Sequence, residues 1–218
     1  MKRYLPFVII AVVLAAAIGA GVLMFRSAQP RLSGSSTPAG SPVTTPNVAS
    51  NGSNGVVLIE EYGDYQCPPC GALHPVLKSL KNEYGNRIRL DFHHYPLTAI
   101  HKHALEASYA AAAANLQGKF WEMHNLLYEN QSLWSEVGDF RPIAINFARQ
   151  LGLDVARFTR DMDGLKVMGL VSSDSQRAEA LGVNSTPTVF INGHMIPFED
   201  LTTEKLRTEI NKSLSVSP

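Results

Sequence analysis

The sequence is poor in cysteine and has no excess of either charge. Its 218 residues include only two cysteines, and 19 lysines and arginines balance 19 aspartates and glutamates. Two cysteines are too few for a disulfide-rich scaffold, and a neutral chain does not hold nucleic acid by overall charge. A hydrophobic fraction of 45% excludes a chain that is disordered throughout. We therefore expect a folded domain, no nucleic-acid partner, and sulfur chemistry confined to Cys67 and Cys70.

Acidic residues are absent from the first 55 positions, where a long uncharged run is found instead. Residues 5–25 carry no charge, and at ~1.5 Å per residue they cover the ~30 Å core of a bilayer. We predict a membrane anchor over 1–26 with a transmembrane helix at 5–25. A cleaved signal peptide is the alternative, although its apolar region usually has only about 7–15 residues. Lys2 and Arg3 favour an N-terminus inside the cell, which predicts a single-pass protein of the cytoplasmic membrane facing the periplasm or cell exterior.

Residues 27–55 have hardly any apolar side chains. They consist largely of Ser, Pro, Gly, Thr and Asn, which bury too little surface to offset the entropy lost by an ordered chain. We predict a flexible linker that reaches roughly 30 Å as a random coil. The remaining residues, 56–218, hold 15 basic and 19 acidic side chains. This part is mildly acidic and long enough for one domain with a core.

The periodicity of 56–218 predicts a mixed α/β domain. A β-rich run at 56–59 is followed by the two cysteines and then by apolar residues at helical spacing, which predicts a strand, an active loop and a helix. Asn192 and Gly193 predict a type I′ hairpin turn, and Gly152 and Gly182 predict helix ends. We predict further strands at 87–92, 188–191 and 194–196, and further helices at 104–128, 143–151, 155–162, 165–181 and 203–214.

The segment Cys67-Pro68-Pro69-Cys70 has three interpretations: a redox pair, half of a zinc site, or two inert buried thiols. A closed zinc site needs four ligands and the chain has no second cysteine pair, so histidines would have to complete the site. The histidines at 93, 94, 101, 103 and 124 keep this alternative open. Inert thiols do not usually stand three residues apart across two prolines at a junction of strand and helix. We favour the redox pair.

The prolines give the redox interpretation a physical basis. Pro68 favours an extended conformation at Cys67, and prolines in the first turn of a helix lose no needed hydrogen bond. Cys67 therefore lies at the positive end of the helix, where the helix dipole and free N–H groups stabilise a thiolate. Because Pro68 and Pro69 have no N–H, the donors must be Cys70 and later residues. We expect the pKa of Cys67 to be below that of an ordinary cysteine, with Cys70 as the shielded resolving thiol.

Five segments together resemble the membrane-anchored, DsbA-like branch of the thioredoxin superfamily: 60–70, 94–97, 101–107, 117–124 and 182–193. The resemblance covers nearly all of 56–215 in order. It implies a thioredoxin fold with a helical domain inserted at about 97–181, and dithiol–disulfide exchange outside the cytoplasm. It also implies that Cys67 and Cys70 are the redox pair. No bound cofactor is needed, because the sulfurs carry the electrons. The Pro-Pro dipeptide between the cysteines leaves the direction of electron flow open.

The resemblance also implies roles for residues around the cysteines. Thr186 and Pro187 correspond to a loop with a cis-proline beside the cysteines, whose preceding backbone pairs with substrate; an ordinary trans proline is the alternative. Glu61 corresponds to a buried acid under the active site that relays the proton of Cys70, and Glu60 is the alternative occupant of that inner face. We place Pro68 and Pro69 with Thr186 and Pro187 as substrate-binding residues.

These features predict a membrane-tethered oxidase that gives its disulfide to reduced exported proteins and is reoxidised by a membrane partner, quinone-linked by resemblance. A reductase or isomerase would use the same two cysteines. Isomerases of this kind are typically dimers with an added domain, and the linker composition offers none, so we expect a monomer. Two alternatives belong to other classes: a module that delivers copper or zinc through the dithiol and nearby histidines, and a non-catalytic adaptor, which the intact cysteine pair disfavours.

Overall fold

A computed structural model describes residues 55–216 of the chain. The predicted anchor over 1–26 and almost all of the predicted linker over 27–55 lie outside these residues. Among the residues that are described, no helix combines the length and the apolar character needed to cross a bilayer. The transmembrane helix at 5–25 therefore stays a prediction.

The described residues form a four-stranded mixed sheet with the strand order β2-β1-β3-β4. Strand β1 is parallel to β2 and antiparallel to β3, which is antiparallel to β4. Helix α1 connects the two parallel strands, and helix α8 ends the described chain. These elements are β1 (Val57–Gly63), α1 (Pro68–Tyr84), β2 (Ile88–His94), β3 (Thr188–Ile191), β4 (His194–Ile196) and α8 (Thr203–Val216). The predicted strands and the hairpin are confirmed, and both hairpin residues have positive φ, 48° at Asn192 and 80° at Gly193.

Between β2 and β3, a stretch that is described throughout, the chain forms six helices. They follow one another as α2 (Ala104–Asn115), α3 (Phe120–Glu129), α4 (Gln131–Trp134), α5 (Arg141–Gln150), α6 (Val155–Met162) and α7 (Leu165–Ala180). This is the helical insertion that the resemblance implies. Its cluster of buried side chains, among them Met123, Trp134 and Phe158, extends to both cysteines. The insertion thus packs directly against the active loop.

The prediction of one helix over 104–128 is wrong, because the chain breaks at Gly118. The φ of Gly118 is 73°, and the N–H groups of Gly118 and Lys119 donate to the carbonyls of Asn115 and Ala114 at 3.0 Å each. This is the Schellman arrangement that ends a helix at a glycine. The predicted ends at Gly152 and Gly182 are confirmed by the same arrangement, with φ values of 68° and 76°. The glycine rule that predicted helix ends at Gly152 and Gly182 therefore also applies at Gly118.

The alternation of β1 gives the sheet two different faces. Val57 and Ile59 pack with Leu77 of α1 and with apolar residues of α8, and we call this the near face. Tyr62 packs with Ala178 of α7 on the opposite side, which we call the far face. Successive strand residues point to opposite faces. Two neighbours in β1 therefore meet entirely different surroundings.

Candidate active site

Cys67 and Cys70 lie where β1 passes into α1. Cys67 precedes the helix in an extended conformation, with φ −70° and ψ 119°, and Pro68 and Pro69 occupy the first turn. The N–H of Cys67 donates to the carbonyl of Asp64 at 3.1 Å, which closes the turn. Both cysteines are free thiols, and they are 4% and 0% exposed. Pro68 and Pro69 are exposed, so they form the solvent-facing edge of the site.

The two thiols differ strongly in acidity. A hydrogen bond from the Cys70 side chain, helped by Thr186 and by the backbone N–H of Cys70, lowers the pKa of Cys67 to about 6, against the effects of burial and of Asp64. Burial, followed by the neighbouring Cys67 thiolate and Glu61, raises the pKa of Cys70 well above its usual value of 9.0. The predicted low pKa of Cys67 is therefore confirmed. So is the expectation that Cys70 supplies the N–H that the two prolines lack.

The peptide bond between Thr186 and Pro187 is cis, as predicted. The Cys67 thiol donates to the carbonyl of Thr186 at 3.3 Å, across 119 residues of sequence. The loop before β3 therefore lies directly against the attacking sulfur. The structure thus brings Thr186 and Pro187 together with both cysteines.

Glu61 lies on the near face of the sheet, under the cysteine loop. It is 2% exposed, and its Oε1 has no hydrogen-bond partner among the described residues. Burial, with a contribution from the Cys67 thiolate, raises the pKa of Glu61 to about 8. The carboxyl is thus protonated at neutral pH and able to donate a proton inside the domain. Of the two acids considered for this place, it is Glu61 that occupies it.

Glu60, the alternative occupant, lies on the far face. Its carboxylate is 3.0 Å from the Arg177 guanidinium and 3.4 Å from the His93 imidazole. The contact with His93, with further help from Arg177 and against burial, lowers the pKa of Glu60. Glu60 is therefore a paired structural charge away from the sulfurs.

Two glutamines that the sequence analysis missed support the active loop. Gln131 of α4 donates from Nε2 to the carbonyls of Tyr65 and Cys67, at 2.8 and 2.9 Å. Gln66 donates to the carbonyl of Ser135 at 2.7 Å and accepts from the N–H of His103 at 2.7 Å. The insertion therefore holds the backbone around Cys67 through side-chain amides. No local pattern marks these residues, because their partners lie more than 30 residues away.

The histidines considered as metal ligands have other contacts. Their partners are Glu60 and Asp174 for His93, Asp64 for His101, the carbonyl of Val137 for His103 and the Tyr65 hydroxyl for His124, while His94 packs against aromatic rings. Within residues 55–216 there is no group of three or more His, Cys, Asp or Glu side chains placed to hold a metal ion. These histidines serve the packing and the polar contacts of the domain.

Comparison with known proteins agrees with this geometry. A family model described as thioredoxin matches residues 52–212. A sodium/proton antiporter, NhaA 1 from Salinispora arenicola, is 38% identical over 138 residues, which are 63% of this chain and 20% of that protein. The chain thus spans about a fifth of the length of the curated relatives that it matches. The likeness to them concerns one part of much longer proteins.

Solved structures share the fold over most of the described residues. A thioredoxin-like oxidoreductase from Silicibacter pomeroyi is 25% identical, with a TM-score of 0.62 over 75% of this chain and 89% of that one. The oxidoreductase DsbA from Xylella fastidiosa is 18% identical, with a TM-score of 0.62 over 78% and 91%. The predicted thioredoxin fold with its helical insertion is confirmed. The chain belongs to the thioredoxin family, and it shares its fold with solved thioredoxin-like and DsbA-type oxidoreductases.

Proposed function

We propose that the protein is a dithiol oxidase that transfers its Cys67–Cys70 disulfide to reduced exported proteins. The difference in acidity between the two thiols supports this direction. A pKa of about 6 at Cys67 leaves most of that sulfur as thiolate at neutral pH, which stabilises the reduced enzyme. A disulfide whose reduced form is stabilised is a strong oxidant. Transfer of the disulfide from the enzyme to a substrate is therefore favourable in free energy.

Transfer takes place in two exchange steps. A substrate thiolate attacks the Cys67 sulfur, the Cys67–Cys70 bond breaks, and Cys70 leaves with the electron pair and takes up a proton. A second substrate thiolate then attacks the substrate sulfur of the mixed disulfide, and Cys67 leaves as a thiolate. The substrate loses two electrons as its disulfide forms, and the cysteine pair gains them. No further redox group takes part.

Glu61 and the Thr186–Pro187 loop serve this reaction in different ways. The Cys70 thiol has a raised pKa and so needs a proton when it leaves, and the protonated Glu61 carboxyl beneath the site supplies it. Glu61 then regains a proton from solvent. The backbone before Pro187 pairs with the substrate chain next to Cys67, while the exposed Pro68 and Pro69 form the edge that the substrate crosses.

The proposal places this domain outside the cytoplasmic membrane. It is supported by the uncharged run at 5–25, the basic pair before it, and the polar linker at 27–55. A single cysteine pair also suits an oxidising compartment, because the chain has no third thiol to mispair with. Reoxidation there requires an electron acceptor, for which we propose a quinone-linked membrane protein. The enzyme acts as a monomer without a bound cofactor.

Disulfide transfer by cysteine variants tests the reaction. The oxidised enzyme should remove one pair of thiols from a reduced model protein for each enzyme molecule, whereas Cys67→Ser should remove none. The Cys70→Ser variant should form a stable mixed disulfide with a glutathionylated substrate, because no second thiol resolves it. Transfer by Cys67→Ser at the wild-type rate, counted as free thiols against time, would refute the proposed chemistry.

A further inference from the structure

A second carboxylate is buried beside the attacking cysteine. Asp64 follows β1, is 0% exposed, and lies three residues before Cys67. Its Oδ1 accepts from the N–H of Gln66 at 2.7 Å. Its Oδ2 accepts from the N–H of Leu97 at 2.8 Å and from Nδ1 of His101 at 2.7 Å. Asp64 therefore ties the active loop to the start of the helical insertion.

A carboxylate at this place opposes formation of the Cys67 thiolate. Asp64 raises the pKa of Cys67, whereas the hydrogen bond from the Cys70 side chain lowers it. A like charge disfavours formation of a second anion nearby, and the effect grows when water is excluded. An oxidase that depends on the Cys67 thiolate needs this charge compensated. Among residues 55–216, the groups that hydrogen-bond to the carboxylate are two backbone N–H groups and the imidazole of His101.

Of these groups, His101 is the one that can carry a full positive charge. Its side chain is 16% exposed, so the imidazole closes the carboxylate off while keeping contact with solvent. His103 provides the contrast on the same loop. It is buried, its Nε2 contacts the carbonyl of Val137 at 2.9 Å, and its N–H donates to Gln66. Only the first of these two histidines meets a carboxylate among the described contacts.

We propose that the imidazole of His101, hydrogen-bonded to the buried carboxylate of Asp64, offsets the negative charge of that carboxylate beside Cys67 and thereby sets how readily the Cys67 thiolate forms. His101 is thus a positioning residue that acts through Asp64 and does not touch substrate. The proposal requires only that Cys67 is the sulfur that forms the mixed disulfide with the substrate. It therefore holds for either direction of electron flow, and its failure would leave the oxidase proposal standing.

Three variants separate charge from structure. His101→Gln keeps a hydrogen-bond donor but cannot be charged, His101→Lys keeps a permanent charge, and His103→Gln is the matched control. The pH dependence of alkylation of Cys67 gives the midpoint at which the thiolate forms. His101→Gln should raise this midpoint by about 0.5–1 pH unit, while His101→Lys and His103→Gln should leave it near the wild-type value.

The glutathione equilibrium supplies a second readout. Because less of the reduced enzyme is stabilised as thiolate, His101→Gln should lower the equilibrium constant for reduction of the enzyme at pH 7 about three- to fivefold. If the role of His101 were merely structural, the lysine variant and the glutamine variant would change this equilibrium constant by the same factor. Equal midpoints for His101→Gln and the wild type would overturn the proposal.

Removal of the buried charge gives an independent test, which also serves if His101→Gln does not fold. Asp64→Asn should lower the midpoint of Cys67, since the carboxylate that opposes the thiolate is gone. In that background a further His101→Gln change should have no effect on the midpoint. An unchanged midpoint in Asp64→Asn, or the same shift from His101→Gln in both backgrounds, would contradict the proposal.

Discussion

The pKa of a buried glutamate is shifted in opposite directions on the two faces of the sheet. On the far face, Glu60 is paired with Arg177 and His93, and its pKa is lowered. On the near face, one residue further along β1, burial raises the pKa of Glu61 to about 8, and one of its oxygens has no partner among residues 55–216. A glutamate is thus a stabilising charge on the far face, at Glu60, and a protonated carboxyl on the near face, at Glu61.

The surroundings of the two acids explain the difference. Arg177 joins Glu60 to the Tyr62 hydroxyl at 3.0 and 2.8 Å, so the far face compensates its buried charges. The near face also holds the Tyr128 hydroxyl, which lies over Gly63 and has no hydrogen-bond partner within the described part of the chain. Burial, followed by Cys70 and Glu61, raises the pKa of Tyr128. Buried polar groups without partners cost about 1–3 kcal/mol each, so their presence calls for a functional reason.

The largest expected effect concerns stability at alkaline pH. Between about pH 4.5 and 8 the folded protein holds a proton on Glu61 that the unfolded chain has lost, so wild-type stability falls as pH rises through this window. Glu61→Gln should not show this fall in stability, because glutamine does not titrate. The reduced variant should therefore be more stable than the wild type above pH 8, by at most about 4–5 kcal/mol.

Urea unfolding of the reduced proteins from acid to alkaline pH measures this difference. Glu60→Gln is the matched control, and its effect should have the opposite sign. Because the folded pKa of Glu60 is lowered, its stabilisation is present above pH 4.5 and is lost as pH falls through the folded pKa. Parallel stability curves for Glu61→Gln and the wild type would remove the distinction between the faces.

The next effect belongs to the far face. Against burial, hydrogen bonds and charges of Asp174 and Glu60 raise the pKa of His93 to about 9. The resulting stabilisation is fully present below about pH 6.5 and is lost as pH rises through 9. His93→Gln should therefore destabilise the protein at pH 6 by up to about 3 kcal/mol and have little effect at pH 10. A loss that does not change with pH, seen by the same unfolding method, would show that His93 stabilises by packing alone.

The smallest expected effect is kinetic and separates the two glutamates directly. Glu61→Gln should slow formation of the mixed disulfide about tenfold below pH 8, because the leaving Cys70 must then take its proton from water. The gap should close above pH 8, where wild-type Glu61 has lost its own proton. Glu60→Gln should stay within about twofold of the wild type at every pH, since a far-face carboxylate takes no part in the transfer. Stopped-flow measurement of enzyme reduction by a thiol peptide provides these rates, and equal slowing by both variants would contradict the roles given to the two faces.

The parts of the site that were predictable from the sequence are those carried by short motifs. The cysteine pair, its prolines and the cis bond at Pro187 follow from local patterns and from the resemblance that they carry. The period of a strand assigned Glu61 and Glu60 to opposite faces, but that period alone did not say which face packs against α1.

The remainder of the site is assembled from contacts that are distant in sequence. Gln131 reaches the carbonyl of Cys67 across 64 residues, and Leu97 reaches Asp64 across 33. These contacts depend on how the insertion packs against the active loop, which periodicity does not encode. The break at Gly118 is different, because its signal was local and the same glycine rule predicted the neighbouring helix ends.

The equilibrium of the Cys67–Cys70 pair with a glutathione buffer tests the central claim most directly. If the low pKa of Cys67 stabilises the reduced enzyme, the potential should lie on the oxidising side of ~−270 mV, in the direction of the ~−120 mV of the strongest oxidants of this kind. A potential near ~−270 mV, which is that of a reductant, would contradict the proposal that this protein donates disulfides.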